Sequence, residues 1–206
     1  RLGRFRHYDE IDSPYALFVN STGLPANILE IRWDDGFFTY QSRWVELNYR
    51  SSMNTPAWKE ADGFAGFPDR GANIKTYALR YGDLRFGLQD AAVYSGRNFD
   101  FEYFASPIPQ YFIQYVKSTG GRPWTTGWDE NNMLGFFIEK TPAAGFSWYG
   151  QFFFEDGNLH WLSESFPDLP WKAAWTAGAS LPAPWGGRLS AHVAGATMYA
   201  FGPITS

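Results

Sequence analysis

An alternation of period two runs through most of this chain, and it constrains the fold more than any other feature. Phe146, Trp148, Gly150, Phe152 and Phe154 fall on one side of a stretch whose other side is Ser147, Tyr149, Gln151, Phe153 and Glu155. Successive side chains of a strand point to opposite faces, so this pattern predicts strands rather than helices. It recurs at Trp171, Ala173, Trp175, Ala177 and Ala179, and again at Leu189, Ala191, Val193, Gly195, Thr197 and Tyr199. Tyr77, Leu79 and Tyr81 alternate with Thr76, Ala78 and Arg80; beyond Gly82-Asp83, Leu84, Phe86 and Leu88 alternate with Arg85, Gly87 and Gln89. Further strands are expected at 15–20, 28–33, 37–50, 110–117 and 133–140, about ten in all.

Helices are not expected. No window of about 12 residues carries a capped apolar stripe, and 13 Pro and 21 Gly punctuate the chain. The stretches 54–70, 96–109 and 118–132 read as long irregular connections, the kind that carry function or lie at a surface. There is no fixed-period repeat and no interdomain linker, so residues 1–206 read as a single domain or a fragment of one.

Composition narrows the class. The chain has 10 Trp, 12 Tyr and 19 Phe, so 20% of it is aromatic, whereas 18% is charged and no residue is cysteine. Disulfide frameworks, Cys-based zinc sites and cysteine nucleophiles are therefore excluded. So many aromatics argue against disorder. A net charge of −4 argues against nucleic acid as a partner. No apolar run reaches the ~18–20 residues of a membrane helix; the uncharged run Ala173 to Gly187 is broken by Pro182 and Pro184. The chain opens Arg1-Leu2-Gly3-Arg4, with neither an initiator Met nor a signal-peptide pattern, and so reads as processed or truncated. Asn20-Ser21-Thr22 matches a glycosylation sequon, a triplet that chance supplies often.

The fold class expected is all-β, an antiparallel meander. Two forms use the same alternation. A soluble β-sandwich buries the apolar face of each sheet. An outer-membrane β-barrel turns the apolar face to lipid and the polar face to a lumen. The aromatic load favours the barrel, whose girdles place Tyr, Trp and Phe at both membrane interfaces. The stretch Phe37 to Arg50 is also long enough to cross a bilayer when tilted. On that reading Arg80, Arg85, Gln89, Arg188 and His192 occupy polar faces and line the lumen.

No catalytic motif emerges. Gly145-Phe146-Ser147-Trp148-Tyr149-Gly150 is one residue too long for a nucleophile elbow and lies inside an alternating strand. No phosphate-binding glycine loop is present. His7, His160 and His192 are far apart in sequence. The carboxylate pairs Asp100/Glu102, Asp129/Glu130 and Glu155/Asp156 are the remaining candidates for acid–base chemistry, and solvated loop residues are the plainer reading. Asp100 and Glu102 would share a strand face. Asp34-Asp35-Gly36 and Glu155-Asp156-Gly157-Asn158 are hairpin-turn chemistry. No cofactor and no metal site is expected. For binding, Trp124, Trp128, Asp129 and Asn131 form a candidate carbohydrate platform: rings to stack on sugar CH groups, polar side chains for hydroxyls. Loop anchoring or a membrane interface would account for the tryptophans equally.

The order of motifs over residues 74–157 resembles the capsule-assembly outer-membrane (Wzi-like) family. Leu84-Arg85-Phe86-Gly87-Leu88-Gln89-Asp90 is similar to that family's "lrfGLxE" strand, and Val93-Tyr94-Ser95-Gly96-Arg97 to its "iYgGR". Asp129-Glu130-Asn131-Asn132 stands where it has an Asp-Asn-rich turn, and Trp148-Tyr149-Gly150-Gln151 with Glu155-Asp156 where it has "YGqfxxDD". Asp90 replaces an expected Glu, and Glu155-Asp156 a double Asp. Gly195-Ala196-Thr197-Met198-Tyr199 adds weaker support. The resemblance implies a β-barrel in the outer membrane of a diderm bacterium, in contact with membrane lipid and associated with cell-surface polysaccharide, as a pore or scaffold without catalysis. Family members are much longer, which leaves two forms open: about ten strands closing a small barrel on their own, or part of a larger barrel closed by further strands or other chains. Two rivals stand beside it: a secreted, extracellular β-sandwich that binds or hydrolyses polysaccharide, and a structural cell-surface protein that polymerises through strand edges.

Overall fold

The computed structural model describes residues 1–19, 25–48, 69–119, 130–142, 145–155 and 172–197. Nine strands follow one another across one antiparallel sheet: β1 (Leu2–Phe5), β2 (Ala26–Asp34), β3 (Phe38–Asn48), β4 (Arg70–Tyr81), β5 (Leu84–Ser95), β6 (Glu130–Lys140), β7 (Ser147–Glu155), β8 (Ala173–Pro182) and β9 (Arg188–Ala196). Each pairs only with its neighbours in sequence, and β1 and β9 are the edges; among the described residues nothing pairs the two. The all-β antiparallel meander is thus as expected, with an open sheet.

Two short helices interrupt it, α1 (Phe101–Ala105) and α2 (Gln110–Thr119), and both correct the sequence reading. Asp100 and Glu102 do not share a strand face: Asp100 caps α1, accepting the backbone N–H groups of Glu102 and Tyr103. The expected strand at 110–117 is the helix α2. Its sheet-facing positions Gln110, Ile113 and Gln114 are spaced i, i+3, i+4, yet two of the three are polar, while Phe112 is exposed. An apolar-stripe search fails on such a helix. The expected strand at 15–20 is also absent: residues 14–19 form turns and bends. Conversely β1, four residues long, carries too little pattern to be read, and β4 begins at Arg70, inside what reads as a loop.

The strand connections alternate in length. Residues 35–37, 82–83, 141–146 and 183–187 make the short ones; 6–25, 49–69, 96–129 and 156–172 make the long ones. Because consecutive strands run in opposite directions, all short turns lie at one end of the sheet and all long connections at the other. The short turns have the local chemistry their sequences promise. Asp34 Oδ1 accepts the Gly36 N–H at 3.0 Å, and Asp35 Oδ1 accepts those of Phe37 and Phe38 at 2.9 and 2.7 Å. Gly36 adopts φ 89° and Gly82 φ 60°, conformations that cost a residue without a side chain little.

The two faces of the sheet differ in what they bury. One face carries Glu30, Gln41, Arg43, Thr76, Arg85, Gln89, Gln151 and Thr176, all buried. The other carries Ile31, Trp33, Phe86, Phe136, Ile138, Phe152, Trp175 and Val193, all exposed, Phe136 to 52% and Trp33 to 55%. Residues 6–19, here called the strap, leave β1 at the long-connection end and cover the polar face. The apolar core sits beneath the strap too: Val19 packs with Ile28, Val45, Ile74 and Ala91, and Ile11 with Ala78 and Phe137. Gly135 lets the Phe18 ring approach so closely that a Cβ there would lie 2.6 Å from it.

On the outer face, the chain from Asn98 to Gln110 lies against β3 to β6. It is held by a comb of side chains that donate to its carbonyls. Trp44 Nε1 reaches Asn98 O (2.7 Å), Ser42 Oγ Phe104 O (2.8 Å), Asn73 Nδ2 Tyr103 O (3.0 Å), Tyr77 Oη Pro107 O (2.9 Å) and Lys75 Nζ Ile108 O (2.6 Å). The buried Asp90 carboxylate accepts the Gln110 N–H at the start of α2. The helices cover the polar stretch of the outer face and turn Phe101, Ile108 and Phe112 outward, so the exposed surface is apolar there too.

Candidate functional site

The strap is fixed by carboxylates in a polar interior. Asp9 Oδ1 accepts hydrogen bonds from Gln89 Nε2 (2.7 Å) and Gln151 Nε2 (3.0 Å), while Oδ2 accepts the Phe18 and Val19 N–H groups, at 2.8 and 3.1 Å, which folds the strap back on itself. Glu10 forms a close ion pair with Arg85 and accepts Thr76 Oγ1 at 3.3 Å. Arg85 also pairs with Glu139 at 3.1 Å and lies 4.8 Å over the Phe137 ring. Higher up, Arg43 Nε donates to Glu30 at 3.0 Å and its Nη1 to the Tyr8 carbonyl at 2.9 Å. These charges are buried, and each guanidinium meets both a carboxylate and a carbonyl. That is the condition under which a buried ion pair is tolerated.

His7, also in the strap, has no such compensation. Its Nδ1 is buried without a hydrogen-bond partner. Burial, then the Arg43 guanidinium, lower its pKa from 6.5 to about 4 against the opposing pull of Glu30. The sign follows: the unfolded chain binds the proton between pH 6.5 and about 4 and the folded chain does not. The neutral ring's contribution is therefore complete above pH 6.5 and is lost as pH falls through about 4. Because the ring is partly solvated, the loss should be on the order of 1 kcal/mol. Unfolding midpoints measured from pH 7 to pH 4 should show it, and His7→Phe should remove that part of the pH dependence.

Toward the short-turn end the strap leaves a polar cavity of about 450 Å³ against β7, β8 and β9. Asp12, Glu139, Ser147, Tyr149, Arg188 and His192 are among its walls. Tyr149 Oη lies 2.6 Å from Ser13 Oγ and 2.9 Å from His192 Nδ1, tying the strap to the edge strand. Arg188 donates from Nε to Ser180 Oγ and from Nη2 to Ser147 Oγ, both at 2.8 Å.

The residues singled out in the sequence are placed as follows. Arg80, Arg85, Gln89, Arg188 and His192 all project from the strap-facing side of the sheet, as their cross-strand partners require. Arg85 and Gln89 are buried under the strap rather than open, whereas Arg80, Arg188 and His192 are exposed. Trp124, Trp128 and Asp129 lie outside the described residues, as do His160 and Asp156. Asn131 is in β6 on the strap-facing side, and its amide donates to Glu155. Glu155 also pairs with Lys172 at 2.8 Å, and Glu130 with Arg97 and the Tyr103 hydroxyl. Asp100, Glu130 and Glu155 thus serve in structural ion pairs and hydrogen bonds. Among the described residues no group of three or more His, Asp or Glu side chains is arranged to hold a metal.

Asp9, Glu10 and Ser13 were not anticipated. Their side-chain partners lie 66 or more residues away in sequence, and nothing local marks them. Comparison with protein-family models, curated proteins and solved structures finds no match to the chain.

Proposed function

We propose that this chain is the wall of an outer-membrane β-barrel, a non-catalytic pore or scaffold associated with cell-surface polysaccharide. The observation that carries the barrel is the inversion of the sheet: charges and amides buried on one face, aromatic and aliphatic side chains exposed on the other. In water such an arrangement leaves a large apolar surface uncovered. In lipid it is the expected one. Two further observations agree. Short turns at one end and long connections at the other are the asymmetry of barrels of this class. The helices on the outer face also present apolar side chains outward, continuing the apolar surface over a patch of sheet that is itself polar.

The edges β1 and β9 need partners in lipid, because unpaired backbone groups there cost several kcal/mol each. Further strands or other chains are therefore part of the proposal. The polysaccharide association rests on the resemblance over residues 74–157 and on the candidate platform Trp124, Trp128, Asp129 and Asn131. The test of the barrel is physical. The protein should need detergent to stay in solution, enter vesicles of outer-membrane lipid, and migrate differently in a gel before and after boiling. A monomer stable in plain buffer would overturn the barrel in favour of a secreted β-sandwich.

A further inference from the structure

The polar cavity at the short-turn end holds an arginine unlike the buried ones. Arg43 and Arg85 are each neutralised by a carboxylate; among the described residues no carboxylate lies within ion-pair distance of Arg188. Arg188 is instead pinned by two serine hydroxyls, Ser180 on Nε and Ser147 on Nη2. Those two bonds occupy the side edge of the guanidinium and fix its plane. Among the described residues the Nη1 donors and the second Nη2 donor remain, and together they form the end-on fork that matches a carboxylate. A charged fork already held in place gives up little freedom when it binds.

The rest of the cavity supplies hydroxyls, an imidazole and two carboxylates. Arg188, Ser190 and His192 follow one another on the strap-facing side of β9, at alternate positions. His192, also in the cavity wall, has its Nδ1 taken by the Tyr149 hydroxyl, which leaves Nε2 as the ring's second polar atom. Ser190 and Thr141 add hydroxyls. Of the two carboxylates on the walls, Glu139 is already paired with Arg85, and Asp12 comes from the strap, across from β9. Pro14 and Pro142 give apolar walls, against which the CH face of a ring can lie. At about 450 Å³ the space falls within the ~300–1,000 Å³ range of small-molecule sites.

We infer that this cavity is a binding site for a small hydroxylated carboxylate of the sugar-acid class, its carboxylate seated end-on against Arg188 and its hydroxyls against Ser190, Thr141 and His192. The inference rests on the proposed function in one respect, that the strap-facing side is a solvated lumen open to solutes. The sugar acid arrives either as a free molecule or as one unit of a polymer; the carboxylate chemistry is common to both.

Calorimetric titration of the full chain with sodium glucuronate, a uronate oligosaccharide, glucose and sodium acetate tests it. Glucuronate should bind, and at least tenfold more tightly than glucose or acetate. Arg188→Gln should weaken glucuronate at least tenfold, and Arg188→Lys should not restore it, because an ammonium lacks the fork. The paired change Ser147→Ala and Ser180→Ala, which keeps the charge but frees the guanidinium, should weaken it severalfold. An unaltered circular dichroism spectrum and melting temperature certify each variant as folded. A tighter oligosaccharide than monomer assigns the polymer source, and equal affinities the free acid; either supports the site. Glucose or acetate binding as well as glucuronate, or glucuronate binding undiminished in Arg188→Gln, would overturn it. Vesicle insertion measured on the same preparation separates the two proposals: insertion without glucuronate binding overturns the site alone, and binding without insertion supports the site while overturning the barrel.

Discussion

On the proposed barrel, arginine in place of Phe136 or Phe152 will destabilise the folded protein in lipid by up to about 2–4 kcal/mol, the cost of a charge on the lipid face. The two rings oppose one another across β6 and β7 on the outer face, with Leu88 on β5 and Trp175 on β8 continuing the row. Both are substantially exposed, so neither change opens a core cavity. For a water-soluble protein the same substitutions would be nearly neutral, within about 0.5 kcal/mol, and would improve solubility. The experiment therefore asks which solvent the outer face meets. Equilibrium unfolding by guanidinium in vesicles, with the same measurement on Arg188→Gln as a change outside the outer face, gives the comparison. A loss below 0.5 kcal/mol for both arginine variants would count against lipid there.

Methionine in place of Arg85 will cost about 3–5 kcal/mol, the penalty for leaving a buried charge without its partner. Here two carboxylates are stranded, Glu10 and Glu139, both with side chains about a tenth exposed or less. The backbone of Glu10 also loses the donor to its carbonyl. Adding Glu10→Gln to Arg85→Met should recover part of the loss, because one of the two stranded charges is then removed. Full recovery is not expected while Glu139 remains. Chemical unfolding of the single and double variants reads both numbers. Proteolysis of the strap should accelerate in the single variant, since Glu10 is one of its attachments.

The parts of the fold that a sequence reader reaches are those where alternation is unbroken. In β7, β8 and β9 every residue declares its face, and the faces read from Phe146 to Glu155 and from Arg188 to Gly195 are the ones observed. The reading fails where another element changes which residues belong on a face. Asn73 and Lys75 lie on the outer face beneath the helices, so the first half of β4 shows no apolar row and merges with the loop before it. The same polar patch forces α2 to bury Gln110 and Gln114, which removes the helical stripe and leaves Tyr111, Ile113 and Tyr115 looking like a strand. The strap is illegible for a different reason. Asp9 and Glu10 acquire meaning only from Arg85, Gln89 and Gln151, and no local rule connects them. Of the candidate site, Arg188 and His192 were legible as polar-face residues, whereas the serines that hold Arg188 were not, because their role depends on the pairing of β7, β8 and β9.

The strap also sets an order of events during folding. Every strand pairs with the next in sequence, so the wall can grow pair by pair, through short turns and longer connections in alternation, and closure entropy rises only slowly with loop length. The bonds of the strap do not share that economy of distance: Ser13 meets Tyr149 across 136 residues, and Asp9 meets Gln151 across 142. Neither of these can form until β7 has joined the sheet, although residues 9 and 13 precede β7 by more than 130 residues. The strap's bonds to β4 and β5 can form earlier, so its docking is a staged event that is completed only once β7 is in place.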